Sequence, residues 1–378
     1  MRVLIAPDGF GGTLTGAQAA AAMAEGWRRA APGDELDLAP LSDGGPGLVE
    51  VLAAALPTAS RRLVTVEDPL GRPVEAAFLL DGSTAYVEAA QACGLHLLAD
   101  HERDPKRTSS FGVGELVREA HRAGARRIVV GLGGTATNDG GAGLLRALGA
   151  QGRDAQGGRP EPGGAWLRQI EGIDGWPVLD GVELVVATDV DSPLLGLYGA
   201  SAVFGPQKGA TREDVALLDA ALARWADVLE AYAGVPVRDL PGAGAGGGLG
   251  AALLALGARR APGIALVQSL VGLADRVAQA DLVLTGEGTF DFSSLSGKVV
   301  SGVAATAAEH AVPCLVLAGA VRVGRREAGA AGIEATYSLV EAVGVEAALT
   351  RPAEELAALA QRVARQWSTS RRATMEGS

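Results

Sequence analysis

Between residues 61 and 88 three strand-like runs follow one another with turns but no helix between them: Arg61–Glu67, Val74–Leu80 and Thr84–Glu88, joined by DPLGRP and DGS. Such a run predicts a meander of strands, which a simple βα series cannot contain. Both ends of the chain have a different texture. Arg2–Pro7 and Asp34–Pro40 are short apolar strands, followed by helical patterns over Thr13–Ala31, with Met23 and Trp27, and over Gly47–Leu56. Asp281–Thr285, Pro313–Ala318 and a weaker Ala335–Leu339 repeat the style, with helices near Val299–His310 and Pro352–Trp367. In the middle, a helix over Phe111–Ala123 leads into the strand Arg127–Val130. A helix over Gly141–Ala150 ends in the loop Gln151–Gly164, Glu183–Thr188 is a strand, and helices dominate from Thr211 to Ala280.

This pattern predicts an α/β protein of two domains. An open sheet domain is built from residues 1–65 and 276–378, and a mixed-sheet α/β domain, 66–275, is inserted into it. The strands of the open domain are expected to be parallel neighbours. A chain of 378 residues is too long for one ordinary core, which agrees. No repeat of 20–50 residues is present.

Charge and cysteine usage exclude several classes. The net charge is −11 with no long basic run, so no nucleic-acid partner is expected. Cys93 and Cys314 lie far apart with no CxxC, which favours a reducing cytoplasm over a disulfide framework. The opening MRVLIAPDGF is too short an apolar run for a signal peptide, and no stretch approaches the ~18 apolar residues of a membrane span. The polar end STSRRATMEGS is expected to be a loose tail. The reading is a cytoplasmic protein acting on small molecules.

Apolar strands here repeatedly run into small residues and then a polar or acidic side chain. RVLIAP leads to Asp8, LDLAPLS to Asp43, RIVVGLGGTAT to Asn138 and Asp139, ELVVAT to Asp189 and Asp191, and LVLTG to Glu287. Any one of these can be a helix cap. Their recurrence points to a shared polar cleft, because ligands of open α/β sheets bind beyond the carboxyl ends of the strands.

The segment GLGGTATNDGGAG, Gly131–Gly143, is the most specific. Glycines between a buried strand and a helix can turn backbone N–H groups of Gly133 and Gly134 toward a phosphate, with Thr135 and Thr137 as hydroxyl donors. The alternative is a connection that packs tightly. In DLVLTGEGTFD, Glu287 and Asp291 are candidates for magnesium, which prefers one or two carboxylates plus phosphate oxygens and water. Asp189 and Asp191 are a second candidate pair, and either can be an ordinary turn cluster. Only Lys106, Lys208 and Lys298 are lysines among 33 basic residues. Lys208 in FGPQKGA and Lys298 in LSGKVV stand beside glycine, where a compact ammonium suits a phosphate. A solvated surface lysine is the competing explanation.

Several motifs are missing. No GxxxxGK[ST], zinc-ligand spacing or GxSxG is present. PGAGAGGGLG contains a formal GxGxxG at Gly242, Gly244 and Gly247, but no apolar strand precedes it, so a dinucleotide fingerprint is weak.

Taken together, SDGGPG (Ser42–Gly47), GLGGTATNDGGAG, ATDVDSPLLG (Ala187–Gly196), FGPQKGA (Phe204–Ala210), PGAGAGGGLG (Pro241–Gly250) and LTGEGTFD with SGK resemble the bacterial glycerate kinase family. This is the type with a flavodoxin-like domain and an inserted second domain. The resemblance runs in order over almost the whole chain. It implies ATP, Mg²⁺ and D-glycerate, with 2-phosphoglycerate as product. Phosphoryl transfer depends on alignment and charge neutralisation. The implied site holds phosphate and substrate with Gly133, Gly134, Thr135, Asn138, Asp139, Asp8, Asp43 and Lys208. Asp189 is the general base, Lys298 or Lys208 offsets developing charge, Asp191, Glu287 and Asp291 are the metal candidates, and Arg107 is a candidate for the glycerate carboxylate. Relatives often carry lysine near Gly9 or Gly11, glutamate at Pro46 and threonine at Leu48, and arginine at Thr289, so this chain lacks two of the family's usual cations. Two competing functions are an NAD(P)-linked hydroxy-acid reductase and a non-catalytic binding relative of the kinases.

Overall fold

The computed structural model describes residues 1–295 and 297–375. The chain separates into two compact units, one of residues 1–43, 50–56 and 264–378, the other of residues 44–49 and 57–263.

The first unit is built on a five-stranded parallel sheet ordered Glu35–Leu38, Arg2–Ile5, Leu282–Thr285, Cys314–Ala318, Ile333–Ser338. Numbered within the unit, the order is 2-1-3-4-5, the flavodoxin-like arrangement. The four open-domain strands expected to be parallel neighbours are so. The central strands are buried throughout, which is why they read as unbroken apolar runs rather than as an alternating pattern. Thr15 caps the helix Gly16–Ala30 in a reciprocal box with Gln18. That helix packs on the helix Pro352–Met375, which continues into the polar end of the chain; residues 376–378 lie outside the described residues. The two helices meet at Gly26, where a Cβ would stand 1.9 Å from the carbonyl of Ala357. Any side chain at 26 would force the helices apart.

The second unit carries a six-stranded mixed sheet, Arg259–Ala261, Glu183–Ala187, Arg127–Gly131, Thr84–Glu88, Pro73–Asp81, Ser60–Glu67. The first four strands are parallel and the last two add antiparallel, so the expected meander forms one side of this sheet. Its core centres on Phe78, Val87, Leu116, Val130, Leu222 and Trp225. The short strand Arg259–Ala261 and the ribbon Gln151–Arg153 with Gly172–Asp174 had no sequence signal.

The division differs from the expected 65/66 and 275/276 in three places. Ser60–Glu67 belongs to the second unit because it pairs along its full length with Pro73–Asp81. Residues from Ile264 onward group with the first unit. Residues 44–49 group with the second, because the Glu88 carboxylate accepts the N–H groups of Gly47 (3.2 Å) and Val49 (3.1 Å). Among the described residues no helix is long and apolar enough to cross a membrane, and Cys93 and Cys314 are buried and unpaired.

Candidate active site

In the first unit, Asp8 follows the strand Arg2–Ile5 and Glu287 follows its neighbour Leu282–Thr285. These are the adjacent strands at which the chain direction across the sheet reverses, the position where open α/β sheets place ligands. Glycines let the turns crowd together there. A Cβ on Gly286 would lie 2.0 Å from the Leu317 carbonyl, and one on Gly288 would lie 2.8 Å from the Gly11 amide.

This end of the sheet is rich in carboxylate. Asp8 is half-buried and accepts the N–H of Gly9 at 2.7 Å. Burial and the charge of Asp43, with a smaller contribution from Glu287, push its carboxyl well above the usual range; Gly9 and Lys298 offset part of this. Glu287 is 8% exposed, and its Oε1 has no hydrogen-bond partner among the described residues. Burial raises its carboxyl too, against the hydrogen bond from Ser294 and the charge of Lys298. Asp291 is lowered, first by the Ser293 hydroxyl, which it accepts at 2.6 Å, and also by the Lys298 charge. Lys298 donates from Nζ to the Ser293 hydroxyl at 2.8 Å. Asp8, Asp43, Glu287, Asp291 and Lys298 therefore form one electrostatic group, although 279 residues separate Asp8 from Glu287 in the chain.

Among the described residues no three or more Asp, Glu, His or Cys side chains converge on one metal position. Magnesium needs less, one or two carboxylates with the remaining oxygens from phosphate and water. The unpartnered Glu287 Oε1 in a carboxylate-rich setting fits that demand. Asp191 fits it poorly, because it is 80% exposed and paired at 2.6 Å with Arg260.

In the second unit, the loop after Arg127–Gly131 is pinned from every side. Asp139 is 1% exposed. Its Oδ2 accepts the Ser110 amide (2.8 Å), the Ser110 hydroxyl (2.9 Å) and the Gly143 amide (3.1 Å), and its Oδ1 accepts the Gly141 amide (3.1 Å). It therefore binds the loop to the starts of the helices Ala142–Ala147 and Phe111–Arg122, and its expected contact with a substrate gives way to a capping role. Asn138 is fully buried and donates to the Ser201 hydroxyl at 2.9 Å, away from solvent as well. Thr135 is 3% exposed, and the Thr137 hydroxyl donates to the Gly246 carbonyl. The Gly133 amide donates to the Gly44 carbonyl at 3.4 Å, whereas Gly134 is exposed with φ +71°. Lys208 is 2% exposed and donates to the Thr137 carbonyl at 2.6 Å, not out to solvent. Asp189 stands half-buried two residues beyond the strand Glu183–Ala187. Arg107 is exposed.

The run Gly246–Gly248 explains PGAGAGGGLG without a dinucleotide. All three residues have positive φ, and a Cβ on Gly247 would stand 1.9 Å from the Thr137 carbonyl. These glycines let the loop at Thr137 lie against backbone. Sequence reasoning missed Glu88, which is 2% exposed. The same sign, a carboxylate at the end of an apolar strand, was present at Thr84–Glu88.

A model of the glycerate kinase family matches residues 3–368. The chain belongs to the glycerate kinase family. It is accordingly an enzyme of the kinase class. It is 46% identical over 369 residues to an uncharacterized protein of Mycobacterium tuberculosis, covering 96% of this chain and 91% of that one. It is 41% identical over 352 residues to the glycerate 2-kinase of Escherichia coli, covering 91% and 92%. A crystal structure of a Salmonella typhimurium LT2 protein assigned as glycerate kinase 2 matches with a TM-score of 0.79 at 40% identity, over 98% of this chain and 99% of that one.

Proposed function

We propose that this enzyme transfers the γ-phosphoryl group of ATP to the 2-hydroxyl of D-glycerate, with Mg²⁺. The observation that carries the reading is the group of Asp8, Asp43, Glu287, Asp291 and Lys298 at the reversal point of a flavodoxin-like sheet, in a chain of this family. When bound, the magnesium ion would screen phosphate charge; Glu287 and Asp291 are the residues to hold it. Lys298 supplies a positive charge that opens the helix Val299–Glu309, so its ammonium and the helix N-terminus act on the same anion. The exposed Gly134 backbone is the part of the second unit's loop open to a phosphate, with Thr135, Thr137 and Lys208 fixing its shape from within. Asp189 is our choice of base for the glycerate hydroxyl, since it need only accept the proton as the new bond forms. The free, buried cysteines are compatible with action in a reducing cytoplasm.

Steady-state turnover with D- and L-glycerate, at varied divalent cation, tests this. We expect a requirement for the cation and a clear preference for the D form. Equal use of unrelated alcohols would overturn the substrate assignment. A thermal shift produced by NADH and not by ATP with Mg²⁺ would favour the reductase instead.

A further inference from the structure

Lys208 is held in the second unit by the turn Phe204–Ala210, where Gly209 at φ +98° lies against the Arg103 carbonyl; a Cβ there would come within 2.1 Å of it. The turn buries the side chain, leaving it 2% exposed. Its Nζ donates to the Thr137 carbonyl at 2.6 Å and to the Thr135 hydroxyl at 3.4 Å. Both acceptors belong to the loop Gly131–Gly143, and both contacts approach that loop from inside. Among the described residues no carboxylate makes an ion pair with this ammonium; Asp139 acts on it at longer range.

A buried ammonium without a contacting counter-charge is expensive to keep. The loop has other anchors that carry no net positive charge. The Cys93 carbonyl accepts the Ala136 amide at 2.7 Å, the Gly247 carbonyl accepts the Gly140 amide at 3.0 Å, and the Trp225 indole donates to the Gly140 carbonyl at 2.9 Å. A neutral donor would serve equally well for packing. What only a cation adds is a positive field at Thr135–Thr137, one to three residues from the exposed backbone of Gly134.

We infer that Lys208 is a positioning residue that trades stability for function: it keeps a positive charge beneath the glycine-rich loop, so that the outer face of the loop accepts an anionic phosphate. This rests on the proposed phosphotransfer, and it moves Lys208 from touching phosphate to acting through Thr135 and Thr137. Burial lowers the lysine to about 8, with the Asp139 charge pulling the other way, so the charge is present at neutral pH and is lost in mildly alkaline solution.

The test compares the full-length enzyme with Lys208→Met and Lys208→Arg. Measured are Tm, kcat and KM for ATP and D-glycerate across pH, and ATP affinity by calorimetry. Lys208→Met should keep or raise Tm, because it removes a buried charge, while weakening ATP binding and lowering kcat/KM by about 10²-fold. The parent should lose activity as pH rises past Lys208's own titration, and Lys208→Arg, if active, should lose that alkaline limb. Activity falling only in step with Tm would make Lys208 a structural strut and overturn the inference, as would near-normal ATP binding and turnover in Lys208→Met. If the parent itself failed to phosphorylate D-glycerate, the functional reading would fall. The ATP affinities of parent and Lys208→Met at matched Tm would still decide the role of Lys208.

Discussion

The loop Gly131–Gly143 and the turn Gly286–Lys298 begin alike, each a glycine-rich exit from a buried parallel strand, but they are held differently. In the loop, long-range partners hold the polar side chains: Ser110 for Asp139, Ser201 for Asn138, Gly246 for Thr137. In the turn, the side-chain bonds of the described residues are local, among Asp291, Ser293, Ser294 and Lys298, and Phe292 is 63% exposed; each segment keeps one buried unpartnered oxygen, Asn138 Oδ1 of an uncharged amide in the loop and Glu287 Oε1 of a carboxylate in the turn. The first arrangement fixes a backbone shape. The second leaves charge available to a ligand. Glycine-rich sequence alone does not distinguish the two; the reach of the hydrogen bonds does.

The largest expected effect should fall on the loop. Asp139→Ala removes a buried acceptor of four donors and should cost about 4 kcal/mol of unfolding free energy, since each stranded donor costs about 1–3 kcal/mol. Urea melts would show it. A cost under about 1 kcal/mol would mean the loop does not depend on this carboxylate.

The turn should respond in the opposite sense. Lys298→Ala should reduce kcat/KM by the equivalent of about 2–3 kcal/mol with little change in urea midpoint, the scale of one lost charge-stabilising donor. Lys106→Ala is the control. Lys106 pairs with Asp214, beside the cap of the helix Arg212–Ala233, so its loss should leave kcat/KM nearly unchanged. Equal rates for the two variants would remove Lys298 from the site.

The strands were legible because buried parallel strands are runs of Val, Leu and Ile, and the meander because its turns carry Gly, Pro and Asp. The matching texture of the two ends placed their strands in one parallel sheet; their order across it was not legible. What could not be read was set by distant partners. Residues 44–49 join the second unit through Glu88, some 40 positions away. Asp139 and Asp8 look alike as carboxylates after strands. Only the surrounding donors make one a cap and the other a member of a charged cluster. For Lys208 the sequence left a phosphate contact and a solvated surface lysine both open; its burial and inward direction depend on Thr137, 71 residues earlier.

A further expected effect concerns the base. Asp189→Asn should lower kcat by about 10²-fold while fold and ATP affinity change little. A near-normal kcat would rule out that role.

The smallest effect is on stability against pH. Asp8 holds its proton more tightly in the folded enzyme than in the unfolded chain, so ionised Asp8 opposes folding. Its favourable contribution is complete below the unfolded carboxyl range and is lost as pH rises through the folded value. Asp8→Asn should therefore melt higher than the parent at pH 8, and the gap should close below about pH 4, where both chains are neutral at that position. Mg²⁺ added to the parent at pH 8 should narrow the gap if the cluster takes the cation. A variant that melts lower than the parent at pH 8 would contradict the crowding of charge at this end of the sheet.

The most direct measurement is NMR of the product formed from ATP, Mg²⁺ and D-glycerate. The proposed transfer should give stoichiometric ADP and a single phosphate ester, its phosphorus coupled to the proton on C2. ATP consumption without a glycerate ester, or no reaction under conditions where the protein is folded and binds ATP, would contradict it.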